Sequence, residues 1–233
     1  MTSTGCSKLV PSGAFTVTEV SLPPSERGQG LAELERLLRE SGIPTEPGQV
    51  GDPVVAKAEP FPEEDFESLL MDDRPRFLVA LDRITDVGNL GSIARSAESC
   101  GVTGLVMELR RAPAIGPGVL RASAGAIEHL RVGRTPNLRR ALELAVGEGL
   151  SVLVAEPGGR PIEELPSAVL GGELVWVFGS EERGTRAGVR KLASEVVGIP
   201  LEGAVASLNV GAAAAYLLLR TAEVRRGAQG ASA

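Results

Sequence analysis

Apolar residues beyond Arg76 follow two alternating patterns. Continuous apolar runs, the pattern of strands buried on both faces, stand at Phe77–Leu81, Gly104–Met107, Ser151–Ala155, Leu174–Phe178 and Val196–Ile199. Helical spacings or small-residue stretches lie between and after them, over Asn89–Cys100, 111–128, Asn137–Glu148, Thr185–Ala193 and Ser207–Arg225. Strands that alternate with helices and are apolar on both faces predict an α/β fold, with a parallel sheet flanked by helices.

The first 75 residues have a different pattern. Residues 1–30 mix Ser, Thr, Pro and Gly without periodicity, which predicts a flexible or irregular segment. Leucines at helical spacing predict a helix over Leu31–Arg39, and a short helix is predicted over Glu63–Leu70. Residues 44–64, rich in Pro, Gly and acids, are interpreted as a linker. The sequence thus predicts a short, partly flexible region at 1–75 and a folded domain at 76–233.

Charge separates the same two parts. The chain has a formal net charge of −6, which by itself argues against a nucleic-acid partner. Residues 1–75 hold 14 acidic and six basic side chains, so the rest of the chain carries a charge of +2. The domain predicted at 76–233 is therefore slightly basic, and the acidic region is equally well explained as a solvated leader.

Composition narrows the class of protein further. No apolar run approaches the roughly 18–20 residues of a membrane span. The first 15 residues have one Lys and no long apolar run, which is not the pattern of a secretory signal. Two cysteines, Cys6 and Cys100, form neither a disulfide framework nor a metal cluster. We therefore expect a cytoplasmic protein without a metal or a membrane partner.

Ligands of parallel sheets bind beyond the carboxyl ends of the strands, which directs attention to the loops after Leu81, Phe178 and Ile199. The first loop lacks the Gly-x-Gly-x-x-Gly spacing of a dinucleotide site. It has Asn89 at the predicted helix start and Arg95 six residues later, about 120° short of two full turns. Asn89 is interpreted as a helix cap or a loop ligand. Taken alone, this segment is explained more simply by a capping Asn and a surface Arg.

The other two loops combine glycines with polar side chains. Gly179 and Gly184 bracket Ser180 and Glu181 directly after a buried strand, where glycine lets a backbone approach a ligand closely. A solvated turn is the alternative. In the third segment Ile199-Pro200-Leu201 ends a strand, and Ser207-Leu208-Asn209 opens a helix. Ser207 as a simple N-cap explains the Ser but not the Asn within the first turn.

Together the three loops resemble the three motifs of the SpoU (TrmH) class of SPOUT RNA methyltransferases. The matching residues are Asn89, Gly91 and Arg95 in the first motif, Gly179, Ser180, Glu181 and Gly184 in the second, and Ile199, Pro200, Ser207, Leu208, Asn209 and Val210 in the third. The segment Ser123–Glu128 is also similar to the stretch between motifs. The resemblance covers about residues 76–226, and three motifs in order at this spacing are highly specific.

The resemblance implies a C-terminal trefoil knot, a homodimer, and S-adenosylmethionine as cofactor. It places the cofactor against the backbone around Gly179, Ile199 and Leu208, with Ser180, Pro200, Leu201 and Asn209 also binding it. Arg95 is implied as the key catalytic residue, either as a base or as an electrostatic clamp. Asn89, Glu181, Ser207 and Asn209 are implied to position Arg95, the ribose and the cofactor.

The sequence departs from the family pattern at two places. Asp86-Val87 replaces the usual Asp-Pro of the first motif. The stretch Gly51–Ala56 stands where many relatives have a His-Gln-Gly segment that ends an RNA-binding domain. The region 1–75 is therefore interpreted as a reduced form of that domain.

The predicted function is methylation of a ribose 2′-hydroxyl in RNA. Ribosomal RNA is favoured over transfer RNA because Ser123–Glu128 and the residues before Arg76 look more like the ribosomal branch of the family. Two alternatives stay open at this point. One is a non-catalytic RNA-binding relative of the same fold, and the other is a nucleotide-binding α/β protein that acts on a small molecule.

Overall fold

The computed structural model describes residues 14–22, 29–49 and 52–230. The chain forms two compact units, Met1–Pro62 and Glu63–Ala233. This division falls before the boundary predicted at residue 75, because Glu64–Asp65 pairs with a strand of the second unit. Predictions for residues 1–13 and 23–28 lie outside the described residues, as does Gly51.

The first unit contains a three-stranded sheet and one helix. Strand β1 (Val17–Leu22) pairs in parallel with β2 (Thr45–Pro47) and antiparallel with β3 (Val55–Ala58). The predicted helix is confirmed as α1 (Gln29–Glu40). A small core holds the unit together, formed by Val20, Leu22, Leu34 and Leu38.

Two predictions for this unit were wrong where the structure describes it. Val17–Leu22 is a strand rather than an irregular segment, and the stretch interpreted as a linker contains β2 and β3. Both β2 and β3 are exposed along their length. Their sequences therefore lack the apolar pattern of a strand, and pairing with β1 gives them their conformation.

The second unit is built on a seven-stranded sheet in which every pairing is parallel. The strand order is β10-β8-β9-β5-β6-β7-β4. The strands are β4 (Glu64–Asp65), β5 (Phe77–Asp82), β6 (Gly104–Glu108), β7 (Val132–Thr135), β8 (Ser151–Pro161), β9 (Leu174–Gly179) and β10 (Glu195–Gly198). The five strands predicted from apolar runs are confirmed. Strand β7 was missed because it contains Arg134, whose charge is paired only in the folded chain with Glu63.

Helices cover both faces of this sheet. They are α2 (Phe66–Leu70), α3 (Val87–Ser99), α4 (Pro117–Ala122), α5 (Leu138–Gly147), α6 (Ser167–Gly171), α7 (Ala187–Arg190) and α8 (Val210–Gly230). The single helix predicted over 111–128 was wrong. Helix α4 ends before Ala124 and Gly125, which have φ angles of 52° and 84°, and a short 3-10 helix follows at Ala126–His129.

Two predicted helix starts also needed correction. Asp86, not Asn89, caps α3, because its side chain accepts a hydrogen bond from the Asn89 amide at 2.7 Å. Ser207 does not begin α8. The side chain of Asn209 accepts from the amides of Gly211 and Ala212 and thereby caps that helix.

The core lies between the sheet and its helices. Trp176 in β9 is fully buried, and its indole N–H donates to the hydroxyl of Thr221 in α8 at 3.0 Å. From β9 the chain runs past β8 to the outer strand β10, and α8 then returns to pack on α3. This reversal is the part of the path to which the resemblance assigns the knot. Among the described residues no helix combines the length and the apolar character of a membrane span.

Candidate active site

The first motif lies at the start of α3, next to the carboxyl end of β5. The cap from Asp86 places Asn89 in the first turn, half-buried. Gly91 lies against α4, since a Cβ there would be 2.6 Å from the carbonyl carbon of Ala122. Only glycine permits this approach, so the motif glycine sets the packing of α3 on α4.

The second motif forms a tight turn at the end of β9. The amide of Gly184 donates to the carbonyl oxygen of Ser180 at 2.7 Å, and Gly184 has a φ of 58°. The amide of Arg183 donates to the Ser180 hydroxyl at 3.3 Å. A Cβ on Gly179 would lie 2.5 Å from the amide nitrogen of Thr185. The two glycines therefore allow the chain to fold back on the strand end, with Glu181 at the tip of the turn.

The third motif is an exposed loop between β10 and α8. Residues 201–209 are all exposed. Among the described residues, the backbone of 201–208 makes no hydrogen bond with other parts of the chain. Its amide and carbonyl groups are therefore available to a ligand.

Side chains from the three motifs meet at Glu181. The Oε1 atom of Glu181 accepts from Asn89 Nδ2 at 3.0 Å and from Asn209 Nδ2 at 2.7 Å. Asn209 Nδ2 also donates to Asn89 Oδ1 at 2.8 Å, and the Val210 amide donates to Glu181 Oε1 at 3.2 Å. The carboxylate thus faces the N-terminus of α8, where the helix dipole favours a negative charge.

A cleft opens beside this network, over the carboxyl ends of β9 and β10 and the middle of β8. Seven of the predicted site residues line it: Gly179, Ser180, Glu181, Ile199, Leu201, Ser207 and Leu208. Pro200, Asn209, Asn89 and Arg95 do not line it. The structure therefore brings most of the predicted cofactor residues to one cavity, and Asn89 and Asn209 reach it through Glu181.

Sequence reasoning missed one wall of the cleft. Ala155, Glu156 and Pro157, from the middle of β8, line it between the other two strands. Glu156 accepts a hydrogen bond from Arg190 Nε at 2.7 Å. The position of β8 between β10 and β9 was the missing information, because the apolar run of β8 carries no motif of its own.

Arg95 lies apart from the contacts described so far. It is exposed on α3, and its guanidinium makes no hydrogen bond or ion pair within the described part of the chain. Its side chain is therefore free to contact a large ligand that covers this face of α3.

A buried ionic cluster next to the second motif was also missed. Arg186 follows the turn and bonds to Asp82 and Glu108, which end β5 and β6. Burial acts to lower the pKa of Arg186, but hydrogen bonds and charges from Glu108 and Asp82 outweigh it and raise that pKa. The described residues contain no cluster of three or more His, Cys, Asp or Glu side chains that could hold a metal.

Comparison with known proteins agrees with this geometry. The model of the SpoU rRNA Methylase family matches residues 76–219. A protein from Archaeoglobus fulgidus described as an uncharacterized tRNA/rRNA methyltransferase is 33% identical over 199 residues, which cover 83% of this chain and 85% of that protein. Similar mycobacterial proteins are longer, and the matched part spans about half of their length, 52% for the relative from Mycobacterium ulcerans.

Solved structures show the same fold. The SpoU methyltransferase AviRb from Streptomyces viridochromogenes, in complex with AdoMet, superposes with a TM-score of 0.78 at 23% identity, covering 91% of this chain and 85% of that one. A structure described as an RNA 2′-O ribose methyltransferase has a TM-score of 0.70 at 21% identity, with coverages of 91% and 82%. The predicted fold class, a parallel sheet flanked by helices of the SPOUT type, is confirmed. The chain belongs to the SpoU rRNA methylase family.

Proposed function

We propose that the protein methylates a ribose 2′-hydroxyl in RNA, with S-adenosylmethionine as the methyl donor. The observation that carries this proposal is the convergence of Asn89 and Asn209 on the carboxylate of Glu181 at the edge of the cleft. Residues far apart in the chain hold this arrangement, and each belongs to a different motif. A capping Asn and a solvated turn, the simpler explanations, would not require that contact.

The cleft fits the cofactor in three respects. Gly179 lines the cleft at the end of β9 without a side chain, and the backbone groups of 201–208 are available for an adenine edge, which needs N–H and C=O partners. Phe178, Leu208 and Leu217 supply apolar surface. S-adenosylmethionine supplies a methyl group that is already activated on a sulfonium, so the chemistry requires alignment and proton removal rather than a metal.

The protein must orient the ribose hydroxyl and stabilise the alkoxide that develops as its proton leaves. Arg95 is exposed and unpaired within the described residues, so it can reach an RNA phosphate or the developing alkoxide. A guanidinium keeps its proton in proteins, which favours a clamp over a base. Glu181, Asn89 and Asn209 form the fixed wall against which ribose and cofactor align, and Ser207 at the cleft positions the cofactor.

We assign ribosomal RNA as the substrate, with transfer RNA as the alternative. The family similarity and the Ser123–Glu128 segment support this assignment. We also propose that the protein acts in the cytoplasm as a homodimer. The region 1–75 is proposed to be a reduced RNA-binding domain.

Mapping of ribose methylation by mass spectrometry, in RNA from cells with and without the gene, tests the proposal. We expect one 2′-O-methyl group to disappear from ribosomal RNA. Loss from transfer RNA instead would overturn the substrate class and retain the reaction. Unchanged RNA, together with no calorimetric binding of S-adenosylmethionine to the purified protein, would favour a non-catalytic RNA-binding relative.

A further inference from the structure

Two carboxylates are buried beside the second-motif turn. Asp82 ends β5 and is 0% exposed, and Glu108 ends β6 and is 5% exposed. A carboxylate taken out of water is costly unless it is paired and hydrogen-bonded. Neither residue belongs to the three motifs, and neither lines the cleft. Their burial therefore requires a positively charged partner.

Arg186 is the partner that joins them. Its amide donates to Asp82 Oδ2 at 2.7 Å, its Nε to Asp82 Oδ1 at 2.7 Å, and its Nη2 to Glu108 Oε1 at 2.8 Å. A planar guanidinium fork makes such paired contacts with defined geometry, which a lysine ammonium cannot reproduce. Because one donor is the backbone amide, the contact fixes the main chain at Arg186 as well as its side chain.

This main chain is the end of the second-motif turn. One limb of the turn is β9, and Asp82 and Gly179 are register partners in the sheet. The other limb passes over Gly179 at Thr185 and reaches Arg186. The segments before and after the turn are thus both attached to Asp82 at the end of β5, which fixes the position of Glu181 between them.

Arg83, which follows β5, also holds the segment after the turn. Its Nη2 donates to the carbonyl oxygen of Gly184 at 3.0 Å. Arg83 has a φ of 64°, a left-handed conformation that is unfavourable for a residue with a side chain. Such strain persists where the surrounding structure enforces it, commonly at functional sites. Asp82 and Arg83, at the end of β5, therefore both hold the segment that follows the turn.

We propose that Arg186 is a positioning residue for methyl transfer. Through Asp82 and Glu108 it holds the Gly179–Gly184 turn, so that Glu181 keeps its place between Asn89 and Asn209. The inference rests on the proposed function for its catalytic consequence, but the attachment of the turn can be measured separately.

Arg186→Lys tests the proposal, with Arg134→Lys as the matched control. Arg134 is a buried arginine that bonds to Glu63, to the Glu108 carbonyl and to the Pro113 carbonyl, and it makes no hydrogen bond or ion pair with the turn. For each variant we would measure kcat at saturating RNA, the Kd for S-adenosylmethionine, Tm, and hydrogen exchange of the Gly184 amide. That amide is bonded within the turn and reports its closure.

We expect Arg186→Lys to lower kcat by about 10- to 100-fold, the effect of a misplacement of about 1 Å in an active site. Exchange of the Gly184 amide should accelerate, and the Kd should change less than kcat. Arg134→Lys should lower Tm without either effect. If Arg186→Lys does not fold, Asp82→Asn, which keeps the shape and one acceptor oxygen, should give the same pattern to a smaller degree.

Equal loss of kcat in the two lysine variants at equal loss of Tm would show a purely structural role and overturn the proposal. Unchanged kcat and unchanged Gly184 exchange in Arg186→Lys would overturn it as well. Failure of the proposed function has a different signature. In that case the unaltered protein transfers no methyl group to RNA, while exchange at Gly184 still reports whether Arg186 holds the turn.

Discussion

The Glu181 carboxylate depends on donors that the chain supplies from two separate places, Asn89 and the adjacent pair Asn209 and Val210. Two amide side chains and the Val210 amide donate to a single oxygen. Glu181 is itself exposed, so these hydrogen bonds, rather than burial, hold its carboxylate in place. Its neighbour Glu182 is exposed and has no such partner among the described residues. The two adjacent acids therefore provide a direct comparison.

Glu181→Ala should lower kcat by about 10- to 100-fold, because Asn89 and Asn209 lose their common acceptor and the wall of the site loosens. Methyl transfer to RNA from radiolabelled S-adenosylmethionine measures this. Glu182→Ala is the control and should leave kcat unchanged. A loss of the same size in the control would remove the distinction between the two glutamates.

Arg95→Ala should abolish methyl transfer while S-adenosylmethionine still binds, since Arg95 does not line the cleft. Single-turnover assays and calorimetry separate the two effects. Arg121→Ala, an exposed arginine on the neighbouring helix α4, serves as the control for general loss of positive charge. Retained turnover in Arg95→Ala would exclude the proposed catalytic role.

At the scale of elements, close helix packing brings the first and third motifs together. Helix α3 contacts α4 through Gly91 and α8 through Gly211, where a Cβ would lie 2.7 Å from the Ser92 hydroxyl. Gly91 thus allows α3 to approach the backbone of α4, and Gly211 leaves room for the Ser92 side chain between α3 and α8. The position of Asn89 relative to Asn209 depends on this packing, so the motif glycines act on the site through the helices.

Gly91→Ala should destabilise the fold by about 1–3 kcal/mol, the usual cost of forcing an extra carbon into a packed interface. The new Cβ meets the backbone of α4, which cannot move as a flexible side chain would. Gly147→Ala is the matched control, because nothing lies within 4 Å of its Cβ and alanine favours the helix by up to about 1 kcal/mol. Thermal unfolding of both variants should show opposite shifts in Tm.

At the scale of the whole molecule, an ion pair links the amino ends of the central strands β5 and β9. Arg76, just before β5, donates from its amide and Nε to Glu173 Oε1 at 3.0 and 2.9 Å. Glu173 lies just before β9. These hydrogen bonds from Arg76 lower the pKa of Glu173 from 4.5 to about 2. This ion pair therefore lies at the end of the sheet opposite to the candidate active site.

The Glu173 contact predicts a defined pH dependence of stability. A carboxyl whose pKa is lower in the folded than in the unfolded chain stabilises above the unfolded pKa, and that contribution is lost as pH falls toward the folded pKa. The difference in Tm between the unaltered protein and Glu173→Gln should therefore be full at pH 6 and shrink below about pH 4.5. Glu148→Gln, at an exposed and more distant partner of Arg76, should show a smaller difference. A pH-independent gap for Glu173→Gln would contradict the assignment.

Patterns within short segments were sufficient to predict five of the seven strands of the second unit. Five apolar runs predicted five strands, because strands buried on both faces must be apolar along their length. Strand β7 was not predictable in this way, since Arg134 is acceptable there only because Glu63 and backbone carbonyls receive its donors. The exposed strands β2 and β3 lacked a pattern for the opposite reason, because neither buries a face.

The sequence by itself determined the fold class, the three motifs and seven of the residues that line the cleft. These depend on local patterns, apolar runs and glycines at fixed spacing, which the chain displays without folding. Only the tertiary structure decided that Glu181 accepts from both Asn89 and Asn209, that Glu156 lines the cleft, and that Arg186 bonds to Asp82 and Glu108. These contacts join residues 28 to 104 positions apart. Strand order and helix packing bring such residues together, and neither can be predicted from the residue spacing within a single segment.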